Sequence, residues 1–234
     1  YRTLEPSPIN RTTLIDLRNV FNRIQHIQEL TIKPRKPFLL GLTIRDLIEI
    51  VLNSFLPSSI QHLNLEYELN ETQEDATIIC RAIKRHPNIT TLKFSENKQP
   101  LFLDKLSTLK QITSLILGKD IRLTEENEKI WGKLSHLKEA SFQIWNNLPQ
   151  LSYLQNLTDL SLKLRVDKSL KLSESQVNNL CIGDLTQLKA LRIGIHSEAN
   201  LDKIIEKILT ETQKLSGLEL LMIRYLNRSA TLNK

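Results

Sequence analysis

One short pattern returns eight times along this chain: an apolar residue, two variable residues, a second apolar residue, one variable residue and a third apolar residue. The first residues of successive copies are 33, 29, 23, 25, 20, 31 and 30 positions apart. A period of this length is typical of a solenoid, in which each unit buries its apolar face only against its neighbours. The copies are Ile27/Leu30/Ile32, Ile60/Leu63/Leu65, Ile89/Leu92/Phe94, Ile112/Leu115/Leu117, Leu137/Ala140/Phe142, Leu157/Leu160/Leu162, Leu188/Leu191/Ile193 and Leu218/Leu221/Ile223.

The composition agrees with a core of stacked aliphatic side chains. Leucine supplies 44 of the 234 residues, whereas only 12 residues are aromatic. A stacking platform for single-stranded nucleic acid would need more aromatic side chains. The net charge of +6 comes from interspersed charges, which is typical of a solvated surface. Nucleic acid is therefore not the partner that we expect.

The repeat predicts two parts, a lead-in with a capping helix over residues 1–26 and a repeat array over residues 27–234. Each repeat is expected to run as strand, loop, helix and return. Helices are expected over 43–55, from 72 to before Pro87, and near 102–110, 124–134, 173–182 and 200–214. Strands are expected near 29–33, 62–66, 91–95, 114–118, 139–143, 159–163, 190–194 and 220–224.

The pattern L-x-x-L-x-L with helical returns resembles the leucine-rich repeat family over most of the chain. The resemblance implies an α/β solenoid, a right-handed superhelix of about eight repeats. Its parallel β-sheet would lie on the concave side and helices of variable length on the convex side. The family places asparagine or cysteine in the turn after each strand, but here Asn97 alone matches and Asp120 is a near substitute. This irregularity is similar to that of F-box partner proteins, innate-immune receptors and bacterial effectors.

The residues that could carry chemistry do not form a recognisable catalytic or metal-binding pattern. Cys80 and Cys181 lie in apolar segments and are expected to be buried thiols. Some effectors that the chain resembles carry a ubiquitin-ligase module in which aspartate follows the catalytic cysteine closely. Here Asp184 follows Cys181 one residue too late. The five histidines lack the helical i, i+4 spacing of a metal pair, and no phosphate-binding glycine motif occurs. We expect no enzyme activity, no metal and no cofactor.

The chain contains no apolar stretch of the roughly 20 residues that a membrane span requires, so no membrane association is expected. Thiols in apolar segments favour a reducing compartment, hence an intracellular, cytoplasmic location, or the host cytosol for a secreted effector. The chain begins at Tyr1 rather than Met, which suggests an excised fragment. Weak evidence for secretion comes from five N-x-S/T sequons, at Asn10, Asn70, Asn88, Asn156 and Asn227.

Binding is expected on the concave face, where the residues between the apolar strand positions would point. The middle of this face is predicted to be small and neutral, with a basic patch toward its C-terminal end. Trp145 falls at a turn position where an exposed side chain would be a binding hot spot, although packing into the loop of the next repeat is the alternative. The candidate partner-binding residues are Lys93, Ser141, Trp145, Lys163, Arg165, Arg192 and Arg224.

The last predicted strand, LELLMIRYL, lacks polar alternation. Leu220 and Met222 are apolar where solvent-facing residues are expected, so both faces of this strand are predicted to be buried. A continuation of the chain, a partner or a second copy of this chain would then cover this edge. Self-association through the edge is one expectation.

These patterns favour a non-catalytic protein–protein interaction module, a scaffold, effector or adaptor that binds a protein partner on its concave face. One alternative is the substrate-recognition arm of a ubiquitin ligase whose catalytic part lies outside this sequence. Another is a binder of nucleic acid or an acidic partner through the basic concave patch, for which affinity would fall steeply with salt.

Overall fold

Eight parallel strands form one open sheet in this computed structural model, in the same order as in the chain. The structure describes residues 26–32, 51–52, 56–68, 73–96, 101–119, 130–145, 151–166, 180–197 and 202–225. The capping helix expected within residues 1–26 lies almost wholly outside them. The strands are β1 Glu29–Ile32, β2 His62–Glu68, β3 Thr91–Glu96, β4 Ser114–Lys119, β5 Glu139–Trp145, β6 Asp159–Val166, β7 Ala190–Ser197 and β8 Leu220–Tyr225.

Each strand begins at the first residue of its predicted range, and the predicted α/β architecture with a single parallel sheet is confirmed. Several strands run further than the five residues predicted. In β6 and β7 the alternation continues past the repeat pattern, because Leu164 and Ile195 each add another buried side chain. These two strands consequently pair along eight residues each.

Helices of very different length connect the strands, as the uneven repeat spacing predicts. Residues 51–52 and 130–133 are also helical. The α-helices are α1 Gln73–Lys84, α2 Leu101–Leu106 and α3 Asp202–Thr212, and the short 3₁₀ helices are η1 Leu151–Tyr153 and η2 Ile182–Asp184. The predicted inward residues of α1, Ala76, Ile79, Cys80 and Ile83, are all buried.

Helix α2 ends earlier than the sequence predicted, because turns of three residues replace it. The N–H of Leu109 donates to the carbonyl of Leu106 at 2.9 Å, and the N–H of Ile112 donates to the carbonyl of Leu109 at 3.0 Å. The same pair of hydrogen bonds precedes β6, where the N–H of Leu154 donates to the carbonyl of Leu151 and the N–H of Leu157 donates to the carbonyl of Leu154. Such i to i+3 turns bury one apolar residue per turn and bring each repeat to its strand in the same orientation.

One apolar core runs along the sheet and includes residues of the helices, which therefore pack on the same face of the sheet. The second apolar position of the repeat is almost fully buried within the sheet, as at Leu63, Leu92 and Leu160. Each buried leucine contributes about 1.5–3 kcal/mol. Among the residues that the structure describes, Trp131 is the largest fully buried side chain, and it meets the ring of Phe142 edge-on with centroids 4.6 Å apart.

Within the residues described above, no helix combines the length and the apolar character that crossing a bilayer would require.

Candidate partner-binding face

The face of the sheet opposite the core presents side chains in straight columns, because every neighbouring pair of strands is aligned at the same repeat position. The central column consists of Thr31, Asn64, Lys93, Ile116, Ser141, Ser161, Arg192 and Met222. The amino-end column consists of Glu29, His62, Thr91, Ser114, Glu139, Asp159, Ala190 and Leu220. The carboxyl-end column, followed here over β5–β8, consists of Gln143, Lys163, Gly194 and Arg224.

We call these three columns the outer face. The middle of this face carries short, uncharged side chains: Ser114 is buried, and Ser141 and Ser161 are half-buried. Ser141 and Ser161 are direct neighbours on β5 and β6. Short side chains at this point leave the backbone accessible to an approaching surface.

Arg192 is already engaged within the sheet. Its Nη1 atom lies 2.5 Å from Oδ1 and 2.7 Å from Oδ2 of Asp159. The two residues lie on β7 and β6, one column apart, so the ion pair runs diagonally across the outer face. Their side chains are 40% and 35% exposed. Asp159 therefore offsets the charge of this member of the predicted basic patch.

Lys163 and Arg224 remain available to contact a partner. Both are exposed, and neither forms an ion pair with any residue in the described ranges. They flank Gly194 in the carboxyl-end column. Neighbouring strands lie about 4.8 Å apart, which puts the two Cα atoms about 10 Å apart. Gly194 has no side chain, so the space between the two cations stays open.

The other predicted binding residues lie further from this pair of cations. Lys93 is half-buried in the central column near the opposite end of the sheet. Arg165 is half-buried, two residues beyond Lys163 on β6, and pairs in register with His196. Trp145 pairs in register with Arg165, but the side chain of Trp145 lies outside what the structure describes, and so does the prediction of a hot spot.

The sign of the charges on the outer face differs between the amino ends and the carboxyl ends of the strands. Glu139 is exposed in the amino-end column, whereas Lys163 and Arg224 lie in the carboxyl-end column. Because four residues separate the two columns and each residue advances about 3.3 Å, they are about 13 Å apart. A matching partner would present opposite charges at a similar separation.

A buried carboxylate between η2 and α3 is a feature that the sequence reasoning missed. Glu211 is 2% exposed. It accepts hydrogen bonds from the Gly183 N–H at 3.0 Å, from Nζ of Lys214 at 2.7 Å and from Lys207, whose Nζ lies 3.0 Å away. Burial acts to raise the pKa of Glu211, but the hydrogen bonds from Lys214, Lys207 and Gly183 outweigh it and lower the pKa below its ordinary value.

Both cysteines are at least partly shielded from solvent. Cys80 is buried and Cys181 is half-buried at the start of η2. Burial raises the pKa of the Cys181 thiol, and the negative charges of Asp184 and Glu211 raise it further. The thiolate, which is the nucleophilic form, is therefore disfavoured. In the described part of the chain, no group of three or more histidine, cysteine or acidic residues could hold a metal ion.

Two asparagines in the turns before strands connect neighbouring repeats. Nδ2 of Asn88 donates to the carbonyl of Ser58 at 2.6 Å, and Nδ2 of Asn156 donates to the carbonyl of Ser135 at 2.6 Å. Each asparagine immediately precedes the first apolar residue of its repeat. In two of the N-x-T sequons, the asparagine side chain thus forms a hydrogen bond to the preceding repeat. Their matching repeat position is the sequence signal that could have revealed this.

Comparison of the chain with protein-family models finds no match, and comparison with curated proteins finds none either.

Proposed function

We propose that this chain is a leucine-rich-repeat interaction module that binds a protein partner on the outer face of its sheet. The eight aligned repeat units, with helices packed on the opposite face, support a solenoid of this kind, a right-handed superhelix whose outer face would be concave. The pattern L-x-x-L-x-L supports assignment to this family. A solenoid scaffold is suited to this task because repeated strands create a long continuous surface.

The observation that carries the proposal is the pair of exposed cations beside the short side chains of Ser141 and Ser161 in the middle of the outer face. Lys163 and Arg224 are held in register on either side of Gly194 without an ion-pair partner among the described residues. The sheet fixes the backbone positions and therefore the spacing of these two cations, and two positive charges at a set spacing favour recognition of acidic groups on a partner surface.

A nucleic-acid partner fits this face less well. Of its cations, Arg192 is paired with Asp159, and the amino-end column carries the exposed carboxylates Glu29 and Glu139. A phosphate backbone would be repelled by these carboxylates, whereas a protein surface of mixed charge could match both ends of the strands.

The test is affinity capture from a lysate of the source organism, with every bound protein quantified. The Lys163→Glu/Arg224→Glu double variant changes the outer face. The matched control is Lys84→Glu/Lys203→Glu, which makes the same charge change at exposed positions on α1 and α3. We expect a specific protein to be lost at least about tenfold with the first variant and retained with the second.

Equal capture by both double variants would overturn the proposed site. Nucleic acid recovered in place of a protein, and lost as the salt concentration rises, would favour the alternative partner.

A further inference from the structure

Positive charges that are scattered along the sequence are gathered by the fold on one flank of the array. Residues 81–90, 104–113 and 130–138 lead into β3, β4 and β5, which are neighbours in the sheet. Seven residues of these three segments are cationic and one is acidic. We call this surface the basic flank. Its cations are Arg81, Lys84, Arg85, Lys105, Lys110, Lys133 and Lys138, and its acid is Asp104.

Contacts between repeats place three of these lysines in one row. Nε2 of Gln111 donates to the carbonyl of Ile83 at 3.4 Å, so Lys110 and Lys84, their neighbours in the chain, lie on adjoining turns. Nζ of Lys110 in turn donates to the carbonyl of Lys133 at 3.4 Å. All three lysines are exposed. Because neighbouring strands lie about 4.8 Å apart, the row spans about 10 Å at the level of the sheet.

The charge of the row is only partly neutralised. Nζ of Lys133 lies 2.7 Å from Oδ1 of Asp104, and the two side chains are 57% and 45% exposed. Such an exposed ion pair is weak and can be exchanged for contact with another anion. Lys84 and Lys110 form no ion pair with any residue that the structure describes. The row therefore offers positive charge to an anionic partner.

The excess of cations belongs to three repeats and not to the array as a whole. The equivalent segments on either side, residues 56–61 before β2 and residues 151–158 before β6, contain no charged residue. Residues 180–189, before β7, contain one charge of each sign. A surface charged only for solubility would carry both signs interspersed, so the basic flank has the character of a local binding patch.

The basic flank offers no apolar anchor of the kind on which protein interfaces depend. Among the described residues, Tyr153 is the one large exposed apolar side chain that borders it, because a Cβ atom at Gly132 would lie 3.7 Å from the Tyr153 ring. The others are Leu209 on α3 and Leu220, Leu221 and Tyr225 on β8, a strand for which the prediction of two buried faces is wrong.

Cations with polar neighbours suit a phosphate backbone, which is bound by lysine, arginine and hydroxyl donors without apolar contact. The hydroxyl-bearing side chains of Ser135 and Tyr153 are both exposed next to this row. A row in one direction also matches a linear polyanion, whereas a membrane presents its charge in a plane. Because one aromatic ring gives little base stacking, a duplex fits better than a single strand.

We propose that the basic flank binds the phosphate backbone of a double-stranded nucleic acid without regard to its sequence. The inference is independent of the proposed function, because the helices that carry this flank pack on the face opposite the outer face. The carboxylates that disfavour nucleic acid on the outer face, Glu29 and Glu139, have one counterpart among the described residues of the flank, Asp104, which is already paired with Lys133.

Fluorescence anisotropy of a labelled 20-base-pair DNA duplex of arbitrary sequence, titrated with the 234-residue chain, tests the proposal. We expect a dissociation constant of about 1–100 μM near 0.15 M salt, as is usual for non-specific binding. Lys84→Glu/Lys110→Glu should weaken binding at least about tenfold relative to Lys163→Glu/Arg224→Glu. That matched control makes the same change in net charge on the outer face. Equal losses would overturn the proposal, because they would reflect net charge alone.

The salt dependence tests whether the two lysines contact phosphates. Lys84→Gln/Lys110→Gln removes their charge without adding carboxylates, so it is the milder test of folding, checked by thermal unfolding. It should make the slope of log affinity against log salt shallower by about 2, since each phosphate contact contributes about 0.9.

An unchanged slope would contradict the proposed contacts. Tighter binding of a 20-nucleotide single strand than of the duplex would also overturn the proposal. So would binding to vesicles that contain phosphatidylserine by a chain that does not bind the duplex, because the flank would then recognise a membrane surface.

Discussion

Arg192 on β7 reaches diagonally across the sheet to Asp159 on β6, with Nη1 at 2.5 and 2.7 Å from the two carboxylate oxygens. The contact orders the centre of the outer face, because a long cationic side chain is held against the sheet there instead of extending into solvent. It also leaves Lys163 and Arg224 as the exposed cations of the outer face on β6–β8.

The ion pair should contribute little to stability, because both side chains are more than a third exposed and water screens the attraction. We expect the coupling energy between Arg192 and Asp159, from a double-mutant cycle with Arg192→Ala and Asp159→Asn in urea unfolding, to be below about 1 kcal/mol. A coupling above about 2 kcal/mol would mean that the pair is far less solvated than its exposure indicates.

The buried carboxylate of Glu211 should matter much more. Glu211→Ala leaves the Gly183 N–H without an acceptor and removes the shared partner of Lys207 and Lys214. We expect a loss of about 3 kcal/mol in the free energy of unfolding, measured by urea denaturation. Glu206→Ala, at an exposed position of the same helix, is the control and should change stability by less than about 0.5 kcal/mol. Similar losses for both variants would contradict this role of Glu211.

Glu211 also predicts sensitivity to acid. Its pKa in the folded protein is lower than the ordinary 4.5, so its stabilising effect is complete above pH 4.5 and is lost as the pH falls through the folded-state pKa. Glu211→Gln keeps an oxygen acceptor for Gly183 but cannot titrate. Its unfolding free energy should therefore fall less steeply between pH 5 and pH 3 than that of the unsubstituted protein. Equal slopes would argue against the lowered pKa.

His136 predicts a second pH dependence, at higher pH. Burial, and then the positive charge of Lys110, lower its pKa below the ordinary 6.5, against a partial rise from its hydrogen bond with the backbone of Leu109. The unfolded chain takes up this proton more readily, so stability decreases as the pH falls below 6.5. His136→Asn, which introduces the residue type found at the same repeat position in Asn88 and Asn156, should reduce the loss between pH 7.5 and pH 5.5. An unchanged loss in thermal or urea unfolding would place the titration elsewhere.

The asparagine contacts between repeats should each contribute about 1 kcal/mol, the usual net value of a hydrogen bond. Asn156→Asp has nearly the same shape but cannot donate to the carbonyl of Ser135, so it should lower the unfolding free energy by at least that amount. The neighbouring exposed Gln155→Ala is the control. If the two substitutions have equal effects, the contact of Asn156 does not stabilise the array.

The sheet was predictable because the repeat pattern itself encodes it. In each repeat, the second and third apolar residues must point into one core, and this requirement determines where every strand begins and which residues are neighbours. The length of α2 was less predictable, because Leu106, Leu109 and Ile112 suit a helix and a series of three-residue turns almost equally well. The spacing of three residues between the apolar positions before several strands was nevertheless visible in the sequence.

The details of the site depended on contacts that the repeat pattern does not contain. Arg192 and Asp159 are 33 residues apart, and their pairing is set by rotamers across two strands. Glu211 occupies an ordinary position in an amphipathic helix, and it is buried because η2 approaches closely at Gly183. A Cβ atom there would lie 2.8 Å from Oε2 of Glu211. Neither relationship has a local sequence signature.

Site-specific photo-cross-linking in a lysate tests binding on the outer face most directly. A photoreactive phenylalanine analogue would be placed at Ser161, among the short side chains in the middle of the outer face. In a separate control chain it would be placed at Thr210, an exposed position on α3. We expect Ser161 to cross-link a defined protein, and we expect Lys163→Glu/Arg224→Glu in the same chain to reduce that product at least about tenfold. The same protein cross-linked from Thr210 and absent from Ser161 would contradict binding on this face.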